Sequence, residues 1–231
     1  MKLFFRLLFL VLFCFLNNVG LCYANNLPSG FVYLHDIDSS IYQELGFATK
    51  NNFVGESLHG YNSKQVICTI NLAKALKKVQ KALKKINPNY SLRVLDAYRP
   101  VAAVEHIKNW AKDLEDQKTK EQYYPNIEKK DLLGKYMAAG KSSHSRGSTV
   151  DITIIDTSTK KELDFGPIFF GDYVHVNYSG LSYTQKKNRY MLRKLMLKFN
   201  FKPYDAEFWH FTLKNEPFPK TYFNFTIYDK R

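Results

Sequence analysis

Three short polar segments of this sequence carry residue types that bind metals or transfer protons. They are residues 96–100 (DAYRP), 142–151 (SSHSRGSTVD) and 207–210 (EFWH). Catalytic zinc sites take three ligands from histidine and carboxylate side chains and keep a fourth position open for water. His144, Asp151 and His210 can supply such a set if a Ser/Gly loop folds back beside the strand that it feeds and a distant strand contributes the third ligand.

Glu207 has the spacing of a proton-transfer residue. It lies three residues before His210, and because strand side chains alternate between faces, the two cannot share a face of one regular strand. We therefore expect Glu207 at the strand entry, on a turn, where it can reach a water molecule without binding the metal. Each pattern is weak when taken singly: Asp151 could instead pair with Arg146, and Glu207 with Arg99.

Taken together, the motifs resemble a known family. Ser-x-His-x-x-Gly-x-x-x-Asp from Ser142 and Glu-x-Trp-His from Glu207 are similar to the signature pair of the D-alanyl-D-alanine dipeptidases, which are zinc peptidases. Four more segments look familial, namely 47–55 with Gly60-Tyr61, 96–100, 123–127 and 188–228. The resemblance therefore covers residues 31–228.

The resemblance implies roles for the polar residues and a reaction. His144, Asp151 and His210 are implied to bind one Zn²⁺ ion per chain, Glu207 to act as general acid and base, and Arg99 to stabilise the transition state. The implied reaction is hydrolysis of D-alanyl-D-alanine, a small dipeptide, to two molecules of D-alanine. The alternative is a D,D-carboxypeptidase that trims terminal D-alanine from longer peptidoglycan peptides.

The substrate pocket departs from the family pattern. We predict that Ser142, Tyr61 and Asp172 line it. Phe170 stands where the family has the aspartate that is implied to hold the free ammonium of the dipeptide, so Asp172, two residues later, is the replacement that we expect. This departure keeps the carboxypeptidase alternative open. A non-catalytic module with a structural zinc would lack Glu207 or Arg99, and both are present.

The first 24 residues have the pattern of an export signal. Lys2 and Arg6 precede the uncharged apolar run 7–16, and Ala24 ends a segment typical of a cleavage site. The run is shorter than the ~20 residues that cross a membrane. We predict a signal peptide over 1–24, a dipeptidase domain over 25–231 and a periplasmic location. An exported enzyme cannot reach dipeptide in the cytoplasm, so we expect a role in peptidoglycan turnover.

Composition excludes several protein classes. The chain has 231 residues, of which 45% are hydrophobic and 16% aromatic, which is incompatible with global disorder. Of its three cysteines only Cys68 follows the predicted signal, so no internal disulfide is expected in the processed protein.

The pattern of predicted strands and helices favours an α+β single domain with a mainly antiparallel sheet flanked by helices and a zinc site on the sheet. The resemblance implies the fold shared by D,D-peptidases and the hedgehog signalling domain.

The net charge of +13 is concentrated in one predicted helix, 71–86. Its apolar residues recur every three or four positions, and the opposite face carries six lysines. Such a face is typical of a solvated helix; the alternative is a weak attraction to anionic envelope surfaces. The sequence has no nucleic-acid recognition motif, so we expect no nucleic-acid partner, and we infer no obligate protein partner.

We also predict strands over 90–97, 147–155 and 209–213, helices over 100–112 and 186–200, and a surface excursion over 112–130.

Overall fold

The computed structural model describes residues 27–137, 139–168, 170–171, 174–175 and 178–230. The predicted signal peptide and Asp172 lie outside these residues. Within the described part of the chain, no helix has the length and apolar character that a membrane crossing requires.

A six-stranded sheet organises the described chain. Its strands are β2 (Tyr42–Gln43), β4 (Tyr90–Asp96), β5 (Thr149–Asp156), β6 (Lys161–Glu162), β7 (Phe201–Tyr204) and β8 (Glu207–Leu213). Its path runs β2-β4-β5-β8-β7, with β6 paired to β5, and every pairing except β2–β4 is antiparallel. A separate antiparallel pair consists of β1 (Phe31–Tyr33) and β3 (Ile67–Thr69). The predicted α+β class and mainly antiparallel sheet are confirmed.

Helices and short turns complete the described fold. The helices are α1 (Leu34–Ile37), α2 (Ile70–Ile86), α3 (Val101–Lys112), α4 (Lys120–Tyr123), α5 (Lys129–Asp131) and α6 (Tyr183–Lys198). Irregular helical turns occupy Gly46–Ala48, Leu132–Tyr136 and Ser143–Arg146. The two long helices α2 and α6 pack against each other and against the sheet.

The alternation of residues in β5 gives the sheet one apolar and one polar face. Val150, Ile152 and Ile154 are completely buried on one face, while Asp151 and Thr153 lie on the other. A register shift in β4 between Val94 and Asp96 sets Asp96 opposite Asp151. Two carboxylates therefore face each other at one end of the central strand pair.

The three predicted strands and the helices predicted over 71–86 and 100–112 agree with the structure within two residues at each end, and two other predicted segments differ more. Helix α6 begins three residues earlier than predicted, because the Ser182 hydroxyl and the Gln185 side chain form a reciprocal capping box, and it ends two residues earlier, before Asn200 with its φ of 72°. The segment 112–130 is not simply a surface excursion. Tyr123 and Tyr124 are buried, and the Lys129 ammonium lies 4.2 Å from the centre of the Trp110 ring, so the segment folds back onto α3.

Candidate metal centre

The sheet register brings two of the predicted ligands together. Asp151 of β5 pairs directly with His210 of β8. His144 arrives from the turn Ser143–Arg146 that precedes β5, and the Ser142 hydroxyl accepts the His144 backbone N–H at 3.3 Å. Gly147 ends this turn at a φ of 77°, and a Cβ atom there would lie 2.3 Å from the Phe31 ring. The turn therefore requires glycine at this position.

The three side chains converge at metal-binding distances. His144 Nε2 lies 3.3 Å from Asp151 Oδ2 and 3.3 Å from His210 Nδ1, and His210 Nδ1 lies 3.1 Å from Asp151 Oδ1. Ligands bound at about 2.0–2.1 Å around a tetrahedral ion are about 3.3 Å apart, so the arrangement fits one such ion. Among the described residues, this is the only cluster of three or more His, Cys, Asp or Glu side chains with that capacity.

Burial and hydrogen bonding also fit a cation. His144 is 2% exposed, and its second ring nitrogen, Nδ1, lies 2.8 Å from the Ala97 carbonyl oxygen, which fixes the ring orientation. Asp151 Oδ1 is buried and has no hydrogen-bond partner, although His210 Nδ1 is close to it. A buried carboxylate oxygen without a hydrogen bond is costly, and coordination of a metal ion would satisfy it.

The electrostatics favour positive charge at this point. Burial raises the pKa of Asp151, but the neighbouring His144 and His210 lower it by a larger amount. The pKa of Asp151 therefore lies well below its usual range. Burial lowers the pKa of His210, and the Asp151 and Glu207 carboxylates outweigh this effect and raise it to about 9. A metal ion that binds here must displace that proton.

Glu207 lies beside the ligand cluster. It is the first residue of β8 and pairs with Tyr204 across a two-residue turn, next to a register shift between Pro203 and Tyr204. That irregular strand entry lets its Oε2 atom approach His210 Nδ1 to 3.4 Å despite the three-residue spacing. The side chain is 26% exposed, so its carboxylate borders both the cluster and solvent.

Asp96 holds Arg99 beside the ligand cluster. Its Nε atom donates to Asp96 Oδ2 at 2.8 Å, and its Nη2 atom lies 3.5 Å from Asp151 Oδ2. The guanidinium carbon lies 4.8 Å from the centre of the Phe47 ring. Burial lowers the pKa of Arg99, but Asp96 and neighbouring groups raise it above its ordinary value, so the side chain remains charged.

Two residues without a predicted role contact the cluster. Asp96 is 2% exposed and accepts the Tyr61 hydroxyl at 2.6 Å in addition to Arg99. The Ser143 hydroxyl lies 3.3 Å from His210 Nε2. The sequence signal available for both residues was their position in the polar segments. Asp96 lies in segment 96–100, three residues before Arg99, and Ser143 lies in segment 142–151, adjacent to His144.

The predicted pocket residues have different surroundings. Tyr61 is buried, and its hydroxyl points to Asp96. Ser142 stabilises the turn that carries His144. Asp172 lies outside the described residues, and Phe170, which does lie within them, packs edge-on against Phe53 with ring centres 5.0 Å apart.

Known proteins resemble this chain over nearly its whole length. Residues 28–228 match the family model described as D-ala-D-ala dipeptidase. The chain is 37% identical over 203 residues to a D-alanyl-D-alanine dipeptidase of Enterococcus faecalis, covering 87% of this chain and 100% of that protein. It is 35% identical to one of Enterococcus faecium (86% and 98% covered) and 33% identical to one of Streptomyces coelicolor (85% and 98% covered). The matched range 28–228 contains every residue of the cluster described above.

Proposed function

Because the chain belongs to the D-ala-D-ala dipeptidase family of metallopeptidases, we propose that it is a zinc-dependent enzyme that hydrolyses D-alanyl-D-alanine to two molecules of D-alanine. The observation that carries the proposal is the convergence of His144, Asp151 and His210 at 3.1–3.3 Å, with an acid and a guanidinium beside them. Two imidazoles and one carboxylate suit Zn²⁺ and leave one coordination position open.

In the proposed reaction, Glu207 moves the protons. A divalent metal held by His144, Asp151 and His210 would supply Lewis acidity, which would polarise a carbonyl and make water a stronger nucleophile. The Glu207 carboxylate borders the ligand cluster and solvent, so it can accept a proton from the attacking water. The same carboxyl group then returns a proton to the departing amine, and both products leave as free D-alanine.

Arg99 supplies fixed positive charge where negative charge develops. The carbonyl oxygen of the substrate gains charge as its carbon becomes tetrahedral. The guanidinium is already oriented by Asp96 and remains ionised, so little reorganisation is needed at that moment. One such donor is typically worth about 3–4 kcal/mol of transition-state stabilisation.

A single set of assays tests the activity. The purified protein is given D-alanyl-D-alanine, its N-acetylated form or a peptidoglycan pentapeptide, with and without a chelator, and released D-alanine is measured. We expect turnover of the free dipeptide, loss of turnover with chelator and restoration by Zn²⁺. Faster release from the pentapeptide would assign the protein as a D,D-carboxypeptidase, and turnover that is insensitive to chelator would exclude the metal mechanism.

The location of the enzyme decides which dipeptide it meets. The apolar run 7–16 and the cleavage pattern before Asn25 support export to the periplasm. There the substrate is dipeptide derived from the cell wall, so the role that we propose is peptidoglycan turnover. Cell fractionation with N-terminal sequencing tests this, and uncleaved protein in the cytoplasm would contradict it.

A further inference from the structure

Helices α2 and α6 share a charge pattern that the metal site does not use. Both are rich in lysine, and neither contains an aspartate or a glutamate. The exposed lysines are Lys74, Lys77, Lys78, Lys81 and Lys85 of α2 and Lys186, Lys187, Lys194 and Lys198 of α6. At about 100° per residue, the lysines of each helix fall within one sector, opposite its buried residues. We call this joint surface the basic helix face.

Few acidic groups neutralise the basic helix face. Arg193 of α6 pairs with Asp205 at 2.9 Å, but none of the nine lysines named above has an ion pair among the described residues. The Lys77 ammonium donates to the Ile37 carbonyl at 3.0 Å, which leaves its charge uncompensated. The surface therefore presents uncompensated positive charge over two adjacent helices.

Exposed apolar side chains are interleaved with these lysines. Tyr183, Tyr190 and Leu197 of α6 are spaced seven residues apart and are 82%, 67% and 43% exposed. The same helical period places them in the sector of Lys187 and Lys194. A helix surface that only faces water does not need such an apolar stripe. A helix that lies in a lipid–water interface, in contrast, combines lysines with large apolar residues.

The basic helix face and the metal site lie on opposite sides of the sheet. Asp151 is on the polar face of β5, where Thr153 bonds to Glu162 and Arg93 pairs with Glu162 at 2.8 Å. Helices α2 and α6 contact β4, β7 and β8, and their buried apolar residues belong to the same hydrophobic core as Val150, Ile152 and Ile154 on the apolar face of β5. A surface bound to the outer side of α2 and α6 would leave the metal site accessible.

We propose that the basic helix face docks the protein on an anionic phospholipid bilayer. Charge complementarity selects an anionic partner, with each lysine near such a surface contributing to binding. The interleaved tyrosines and leucine select a lipid interface over a purely charged polymer, because their rings and methyl groups can enter the headgroup region. The docking is independent of the proposed hydrolysis, since none of these residues contacts the ligand cluster.

Vesicle binding tests the charge requirement. The full chain is sedimented with vesicles of phosphatidylcholine alone or with 30% phosphatidylglycerol, so that residues 1–24 are common to all variants. We expect binding to the anionic vesicles that declines with added salt. Replacing Lys77, Lys81, Lys187 and Lys194 with Gln should weaken it by about tenfold or more. The matched control replaces four exposed lysines elsewhere (Lys64, Lys130, Lys161 and Lys220) with Gln and should weaken it far less.

A second pair of variants separates lipid from polymer. The double variant Tyr183→Ala/Tyr190→Ala should bind vesicles severalfold more weakly, with unchanged retention on heparin. The control is the double variant Tyr42→Ala/Tyr228→Ala, which removes two exposed tyrosines outside α6 and should leave vesicle binding unchanged. Hydrolysis of the dipeptide and the melting temperature should stay unchanged in every variant. The proposal would be overturned if both sets of lysine substitutions weakened vesicle binding equally. It would also be overturned if the tyrosine substitutions in α6 left vesicle binding unchanged while heparin competed with vesicles for the basic helix face.

Discussion

Asp96 connects three polar side chains of the site. It accepts the Tyr61 hydroxyl and the Arg99 guanidinium, and its Oδ2 atom lies 3.5 Å from His144 Nδ1. It is itself almost completely buried. Because it holds the Arg99 guanidinium, we expect Asp96 to act on the proposed reaction through Arg99, as a positioning residue.

Asp96→Asn should lower kcat more than it changes KM. The amide cannot hold Arg99 by charge, so the guanidinium loses the orientation on which its effect in the transition state depends. Arg99→Lys should have a similar effect, because an ammonium lacks the planar fork. The double variant should then be little worse than either single one. Additive losses in steady-state kinetics would show that Asp96 acts independently of Arg99.

Glu207→Gln should retain the metal and lose most of the turnover. The amide preserves the shape of the side chain but cannot accept or deliver the proton, a contribution of about 10²–10⁴-fold in rate. The measurements are kcat and metal content per chain. His210→Ala is the comparison, since it should lose the metal as well. Loss of metal from the Glu207 variant would make this residue a ligand.

The residues of the site were predictable as motifs, but their convergence was not. Residues 142–151 and 207–210 stand out by residue type alone. The contact between Asp151 and His210 depends on the register of β5 against β8, which pairs segments almost sixty residues apart and leaves no local periodic signal. The same holds for Asp96, whose placement opposite Asp151 depends on the irregularity in β4.

At the scale of elements, prediction succeeded where one local pattern dominated. Helix α2 matches its predicted range because a regular apolar stripe specifies it, and Thr69 caps its first turn. The predicted start of helix α6 is too late, because its first turn, Tyr183 to Lys186, contributes no buried apolar side chain and is specified by the Ser182 cap. The many charged residues of 112–130 predict a surface excursion, but Lys129 in this segment is buried against Trp110.

Gly147→Ala should disrupt the element that carries His144. The turn needs a φ of 77° at this position, and an added Cβ would collide with the Phe31 ring. Gly134→Ala is the matched control, since its φ of 95° is equally unsuitable for alanine but its Cβ would meet nothing within 4 Å. We expect both variants to lose about 1 kcal/mol or more of unfolding free energy from backbone strain, with a larger loss and lower metal occupancy for Gly147→Ala. Urea unfolding and metal analysis measure the two effects, and equal losses would indicate that Phe31 moves aside.

At the scale of the whole molecule, the C-terminal segment holds together the loops that form the site. The Phe223 N–H donates to the Ser145 carbonyl at 2.8 Å, and the Val101 N–H donates to the Phe223 carbonyl at 3.1 Å. Phe225 stacks on Tyr98 with ring centres 4.0 Å apart, and Ile227 pairs with Tyr61. The loops that carry His144, Arg99 and Tyr61 thus depend on residues near the end of the chain. The site and the core are therefore expected to unfold together.

The thiol of Cys68 can report that cooperative unfolding. Cys68 is completely buried in β3, and desolvation raises its pKa to about 12. Because the folded pKa lies above that of a free thiol, the thiolate fraction in the native protein is very small at neutral and mildly alkaline pH. We expect the peptide that contains Cys68 to resist alkylation at pH 8 and to be labelled along the same urea transition that abolishes dipeptide hydrolysis. Mass spectrometry of that peptide separates it from Cys14 and Cys22, and labelling at urea concentrations that leave activity intact would show that β3 opens before the site does.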